Sequence, residues 1–142
     1  MQVLKIGGNE LDDPGFLAGL AAYVAGTAVP PIIVHGGGRA IVALEQKVGL
    51  QSTKVDGHRV TDRELISVVQ MALSGQTNKQ IVTALLAAGV DAIGLSGVDG
   101  GILRCLKKHH PTVDLGYVGE ISQVRTDLLR QLTSLGLTVV LS

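Results

Sequence analysis

The sequence predicts an α/β domain whose mainly parallel sheet carries helices on its faces. Short apolar runs end in glycine, the segments between them place apolar residues at helical spacing, and the two kinds of segment alternate from the N-terminus onward. Val3 to Ile6 is a first strand, ended by Gly7-Gly8. Pro14 to Ala25 is a helix rich in Ala and Leu, and Asp12 or Asp13 stands where a cap is needed. After Pro30-Pro31 breaks the chain, Ile32-Ile33-Val34 forms a second strand, and Gly36-Gly37-Gly38 leads into a helix over Ala40 to Val48.

Thr53 to Thr61 alternates β-branched and polar residues around Asp56-Gly57, a two-residue hairpin turn. Asp62 is placed to cap a helix running through Leu73, and Asn78 to open another that reaches Ala88 and stops at Gly89. Asp91 to Leu95 reads as a strand. Ile102 to Leu106 and Leu115 to Ile121 pair as a second hairpin across the polar segment Lys107 to Asp114. Arg125 to Leu135 is a helix stopped by Gly136, and Leu137 to Leu141 is a last apolar strand. No repeat or low-complexity linker interrupts the chain, so one continuous domain is expected over residues 1–142. A parallel strand is normally covered by the next helix. Its position before Ser142 therefore makes the last strand either a sheet edge or part of something longer.

Composition narrows the function classes. Hydrophobic residues are 46% of the 142 and charged residues 17%, which excludes a disordered chain. Twelve basic residues balance twelve acidic ones, giving no basic excess for nucleic acid or an anionic membrane. Phe16, Tyr23 and Tyr117 are too few aromatics for a base-stacking platform. The single Cys105 forms neither an internal disulfide nor a CxxC metal knuckle, and reads as a small strand residue. With no charged leader and no apolar run of roughly 18 residues, a soluble, cytoplasmic protein is expected. Glycine is in excess at 19 residues, so turns or close backbone approaches are being demanded of the chain.

Two glycine turns at strand ends are the strongest chemical feature: Lys5-Ile6-Gly7-Gly8-Asn9 and Val34-His35-Gly36-Gly37-Gly38-Arg39. Ligands bind beyond the carboxyl ends of parallel strands, where bare backbone N–H groups face an anion. Side by side, the turns form a donor cradle with the Lys5 ammonium available to a transferring phosphate. Alternatively, the glycines only allow tight strand-to-helix turns. Neither turn is a known nucleotide fingerprint. Ile41 stands where GxGxxG requires its last glycine, no GxxxxGK[ST] occurs, and Val98 spoils GxSxG at Gly94 to Val98. Arg59 lies on the first hairpin, where its guanidinium either forks onto a substrate carboxylate or pairs with Asp62 or Glu64 in solvent. His35 reads as a loop-holding hydrogen-bond former. His109 and His110 fall on an exposed hairpin tip and do not suggest a metal site.

Taken in order, these motifs resemble the amino-acid kinase superfamily and, within it, the acetylglutamate kinases. The matching segments are Lys5-Ile6-Gly7-Gly8, Val34-His35-Gly36-Gly37-Gly38, Val55-Asp56-Gly57-His58-Arg59-Val60-Thr61-Asp62, Gly75-Gln76-Thr77-Asn78-Lys79, Ala92-Ile93-Gly94-Leu95-Ser96-Gly97-Val98-Asp99-Gly100 and Leu115-Gly116-Tyr117-Val118-Gly119-Glu120. The resemblance implies a three-layer αβα sandwich of the carbamate kinase-like type. It implies transfer of phosphate from ATP, with Mg2+, to the side-chain carboxylate of N-acetyl-L-glutamate, a step of arginine biosynthesis. It also implies roles: Lys5 stabilises the transition state, Gly7 and Gly8 donate to the γ-phosphoryl group, Gly37 and Gly38 bind substrate, and Arg59 holds the α-carboxylate. The chain then corresponds to the N-terminal, acetyl-amino-acid-binding half, inactive alone, with the nucleotide lobe and a second catalytic lysine lying beyond it. Because the first strand follows Met1 directly, a homodimer without arginine feedback is expected. Alternatives within the same resemblance are an N-acetylaminoadipate kinase of lysine biosynthesis and a non-catalytic lobe that binds an acylated amino acid.

Overall fold

The computed structural model describes residues 2–8 and 10–142; Met1 and Asn9, the last residue of the first glycine turn, lie outside the described residues. Four parallel strands form the main sheet: β1 (Val3–Ile6), β2 (Ile32–His35), β5 (Ala92–Leu95) and β8 (Thr138–Leu141), in the order β1-β2-β8-β5. All four residues of β8 are buried, and it lies between β2 and β5. The last strand is therefore interior, which overturns its reading as a sheet edge. Its apolar run Val139-Val140-Leu141 follows from burial on both faces.

Alternation of side chains along the strands divides the core into two layers. Ile6, Ile33 and Val140 pack with helices α1 (Pro14–Ala25) and α4 (Asn78–Ala87). Ile32, Val139 and Leu141 pack on the other face with Ile102 and with Leu129 of helix α5 (Thr126–Ser134). Helix α1 is capped by Asp13, whose carboxylate accepts from Gly15 N at 2.8 Å. Helix α2 (Gly38–Val48) starts inside the triglycine and ends at Gly49, which is left-handed at φ 75°.

The hairpin of β3 (Lys54–Val55) and β4 (His58–Arg59) turns at Asp56 and Gly57, with φ of 48° and 80°. Positive φ at both positions is the type I′ geometry that suits strand twist. From Asp62 onward the helices run together. Helix α3 (Arg63–Gln70) is capped by Asp62 and continues through a wide π-type stretch, Met71–Thr77, directly into α4. Asn78 is the first residue of α4 as expected, but it continues the preceding helical stretch and does not cap a separate start. Its backbone is helical, and its side chain is fully buried.

The second hairpin pairs β6 (Leu103–Lys107) with β7 (Gly119–Val124), so its second strand starts four residues later than the pattern suggested. Leu115 to Tyr117 instead dock on Thr61, just after the first hairpin. Leu115 is fully buried, Thr61 N donates to Leu115 O at 3.0 Å, and Tyr117 N donates to Thr61 O at 2.7 Å. His110 is also drawn in, with Nε2 2.9 Å from Asp56 Oδ2, so it is no free hairpin tip. Cys105 is a strand residue as expected, but an exposed one.

Gly116 holds φ 69° beside the Thr61 carbonyl, which occupies the space a Cβ would need. Gly101, at φ 63°, has open space around it. Gly101→Ala should lower unfolding free energy by about 1 kcal/mol, the left-handed penalty alone, and Gly116→Ala by at least about twice that. Urea denaturation checks the ranking; equal losses would mean the loop does not depend on the contact with Thr61.

Candidate active site

The parallel register of β1 and β2 sets Ile6 opposite His35, so both strands end at the same height. Gly36 N donates to Ile6 O at 3.1 Å, which carries the ladder one residue into the triglycine. Beyond it the two glycine turns meet backbone to backbone. A Cβ on Gly8 would stand 2.9 Å from Gly37 Cα, 3.0 Å from Gly37 N and 3.2 Å from Gly38 N. A Cβ on Gly37 would stand 2.5 Å from Leu73 Cδ2. The close approach therefore depends on glycine at both positions: a side chain at Gly8 would drive the two loops apart, and one at Gly37 would displace Leu73. No side chain caps α2, whose N-cap is Gly37, so its N-terminal end opens toward this junction.

Two hollows flank the contact. One, of about 480 Å³, is lined by Gly8, Gly38, Arg39, Gln46, Lys54 and Arg59 among others. A smaller one, of about 230 Å³, lies on the other side, against Gly8, Gly37, Asp12, Lys47, Thr77 and Gln80 among others. The sequence-derived candidates Gly8, Gly37, Gly38 and Arg59 are thus brought together. Gly7 adjoins them, with the Glu10 carboxylate in the space its Cβ would fill.

Lys5 stands apart from that group. It is exposed and lies outside the lining of both flanking hollows. By strand alternation it is on the opposite face from Leu4 and Ile6, the face that carries α5. It makes no side-chain hydrogen bond or ion pair among the described residues.

Arg59 is held by partners that sequence spacing did not suggest. Its Nη1 donates to Glu45 Oε1 at 2.6 Å and to Ser52 Oγ, and the two charged side chains are only 13% and 6% exposed. The pairing is with Glu45 on α2, which rules out the alternative of a solvent pairing with Asp62 or Glu64. The signal was available only as Glu45 on the apolar face of α2, four residues after Ile41. A buried charge there needs a partner. Arg39 bridges the loops from outside through Asp12 at 3.1 Å, an exposed pair of small energetic weight.

His35 acts as the sequence suggested. Its Nδ1 donates to the acceptor-only Gly36 O at 3.0 Å, leaving Nε2 to accept from the Asn78 amide at 3.3 Å. Burial is the main influence on the imidazole and pushes its pKa below the usual 6.5, against the Gly36 hydrogen bond and with the Lys79 charge. Ser96 of the broken GxSxG motif donates to Asp99 Oδ2 at 2.8 Å and serves a turn. Among the described residues, no group of His, Cys, Asp and Glu has metal-binding geometry.

A neutral, buried His35 makes stability pH-dependent. Below about pH 6.5 the unfolded chain takes up a proton that the folded chain resists, so stability is full above that pH and falls below it. His35→Gln should flatten this slope, and the stability gap between wild type and variant should narrow from about pH 7.5 to pH 5.5 in urea titrations. A gap constant with pH would contradict a neutral His35.

Comparisons with known proteins bear on the family and the fold. The family model described as "Amino acid kinase family" matches residues 1–142. The chain is 48% identical over 136 residues to the acetylglutamate kinase of Chloroflexus aurantiacus, covering 96% of this chain and 54% of that protein. It is 40% identical over 146 residues to that of Methanopyrus kandleri, covering 100% and 56%. The chain thus spans about half the length of the curated relatives it matches. Among solved structures, smu.665 of Streptococcus mutans UA159 superposes with a TM-score of 0.82 at 27% identity, over 98% of this chain and 56% of that one. N-acetylglutamate synthase of Neisseria gonorrhoeae superposes at 0.79 with 23% identity, over 99% and 32%, a likeness of fold. From the paired glycine turns, the parallel sheet and the match along its full length, the chain belongs to the amino acid kinase family.

Proposed function

We propose that this chain is the acceptor-binding lobe of an acetylglutamate kinase, a cytoplasmic, homodimeric enzyme that phosphorylates the side-chain carboxylate of N-acetyl-L-glutamate with MgATP as second substrate. The observation that carries the reading is the contact of Gly8 with Gly37 and Gly38, which leaves a side-chain-free junction beside the Arg59 hollow. Relatives named acetylglutamate kinase that match nearly the whole chain support it.

Phosphoryl transfer asks a protein mainly to position the reactants and to stabilise charge. In this reading the backbone N–H groups at Gly7 and Gly8 receive the transferring phosphoryl group, and those at Gly37 and Gly38 hold the acceptor. Arg59 binds the acceptor's α-carboxylate with the guanidinium nitrogens that Glu45 and Ser52 leave unused. Lys54, in the same lining, adds positive charge. Lys5, one strand position before Ile6, offers its ammonium to the charge that builds on the phosphoryl oxygens. The nucleotide site and the second catalytic lysine belong to the length of the relatives that this chain does not span.

The test uses the full-length protein. It should phosphorylate N-acetyl-L-glutamate in preference to N-acetylaminoadipate; preference for the longer acid would replace the assignment, and binding without turnover would favour a non-catalytic lobe. Lys5→Ala should lower kcat by about a hundredfold with little change in KM, whereas Arg59→Ala should mainly raise KM for the acetyl amino acid, by at least about tenfold. The reverse pattern would mean that the two roles are exchanged.

A further inference from the structure

Asn78 is fully buried, polar and unused by the chemistry above. The π-type stretch before it brings Thr77 and Asn78 beneath the triglycine turn, with Leu73 of the same stretch against Gly37. Its Nδ2 hydrogens are shared among three acceptors: Val140 O at 3.0 Å, Leu95 O at 3.3 Å and His35 Nε2 at 3.3 Å. One carboxamide thereby joins the carboxyl-terminal halves of β8, β5 and β2. Its Oδ1 accepts from Lys79 Nζ at 2.9 Å, and that ammonium also donates to Gly94 O at 2.9 Å.

The opposing strand is shaped to receive this group. A Cβ at Gly94 would overlap Asn78 Oδ1 and stand 2.8 Å from Lys79 Nζ and 2.9 Å from Val82 Cγ2. The φ of Gly94 is not positive, so the backbone itself does not demand glycine there. Room for the Asn78 carboxamide is what the residue provides. From Asn78 the chain of contacts runs to the imidazole, and from the imidazole to the Gly36 carbonyl.

We propose that Asn78 is a positioning residue for the acceptor cradle, acting through His35 on the loop at 36–38, and that Gly94 is glycine to admit its carboxamide. The proposal rests on the reading of that loop as the acceptor site. A carboxamide that fixes the imidazole fixes the Gly36 carbonyl, and with it the direction of the N–H groups that follow. Misplacement by a fraction of an ångström is enough to weaken a bound acceptor.

Four variants of the full-length protein test it: Asn78→Ser, Gly94→Ala, His35→Asn and the Asn78→Ser/His35→Asn double. Asn in place of His35 keeps a donor near Gly36 O and removes the acceptor facing Asn78. Leu85→Ala, a core truncation on α4, serves as the destabilised control. Each single variant should raise KM for N-acetyl-L-glutamate by about tenfold while KM for MgATP changes less than about twofold, and the double should be no worse than the poorer single. Amide hydrogen exchange at 36–38 in the ligand-free protein should quicken about tenfold in Asn78→Ser and Gly94→Ala and stay unchanged in Leu85→Ala. Both KM values rising together, additive effects in the double, or unchanged exchange at 36–38 would overturn the proposal. If the wild-type protein phosphorylates no acetyl amino acid, the acceptor reading fails on its own, and the exchange result still decides whether Asn78 governs the loop.

Discussion

The structure turns on one steric constraint, the contact of Gly8 with Gly37. Two parallel strands in register deliver their loops to the same place, and only backbone fits between them. Leu73 presses on Gly37 from one side, and Gly38 begins α2 on the other. Each neighbouring element is placed by this contact: α2 starts where the loops part, and Glu45 on that helix reaches Arg59. The hollow between α2 and the first hairpin is what remains. A side chain at Gly8 would separate the strand ends and disturb all of these at once, and one at Gly37 would push Leu73 away.

Charge around that hollow is arranged to favour an anion although the chain as a whole is neutral. Arg59 is neutralised by Glu45, and Arg39 by Asp12, while Lys54 in the same lining has no acidic partner among the described residues. The buried Arg59–Glu45 pair adds little to stability by itself, because removing two charges from water offsets most of their attraction. Its value lies in geometry. It sets the guanidinium at one orientation before any ligand arrives, so less ordering is left to be done on binding.

What could be read from the sequence was whatever local chemistry dictates. Asp13 at a helix start, Asp56-Gly57 at a two-residue turn and Gly89 or Gly136 after a helix each announce themselves within a few residues. The glycine turns did so too, and their adjacency followed from the β-α-β order. Contacts made across the chain were not legible. Glu45 pairs with Arg59 fourteen residues away, and the cap-like Asn78 is a core amide because three strand ends converge on it. Leu115 to Tyr117 have strand-like composition, yet Thr61 takes the Leu115 carbonyl and the Tyr117 N–H before β6 can. For Lys5 the strand was legible, but its face was not, since that depends on which helix layer covers β1.

The central claim is that the paired glycine turns and Arg59 form one anion-recognising acceptor site. Heteronuclear NMR of the full-length protein titrated with N-acetyl-L-glutamate tests it most directly. The account predicts saturable shifts concentrated at the amides of Gly8, Gly37 and Gly38 and at the Arg59 side chain. Shifts centred instead on the hollow of about 630 Å³ beside Cys105 and Tyr117, with the glycine amides unmoved, would contradict it.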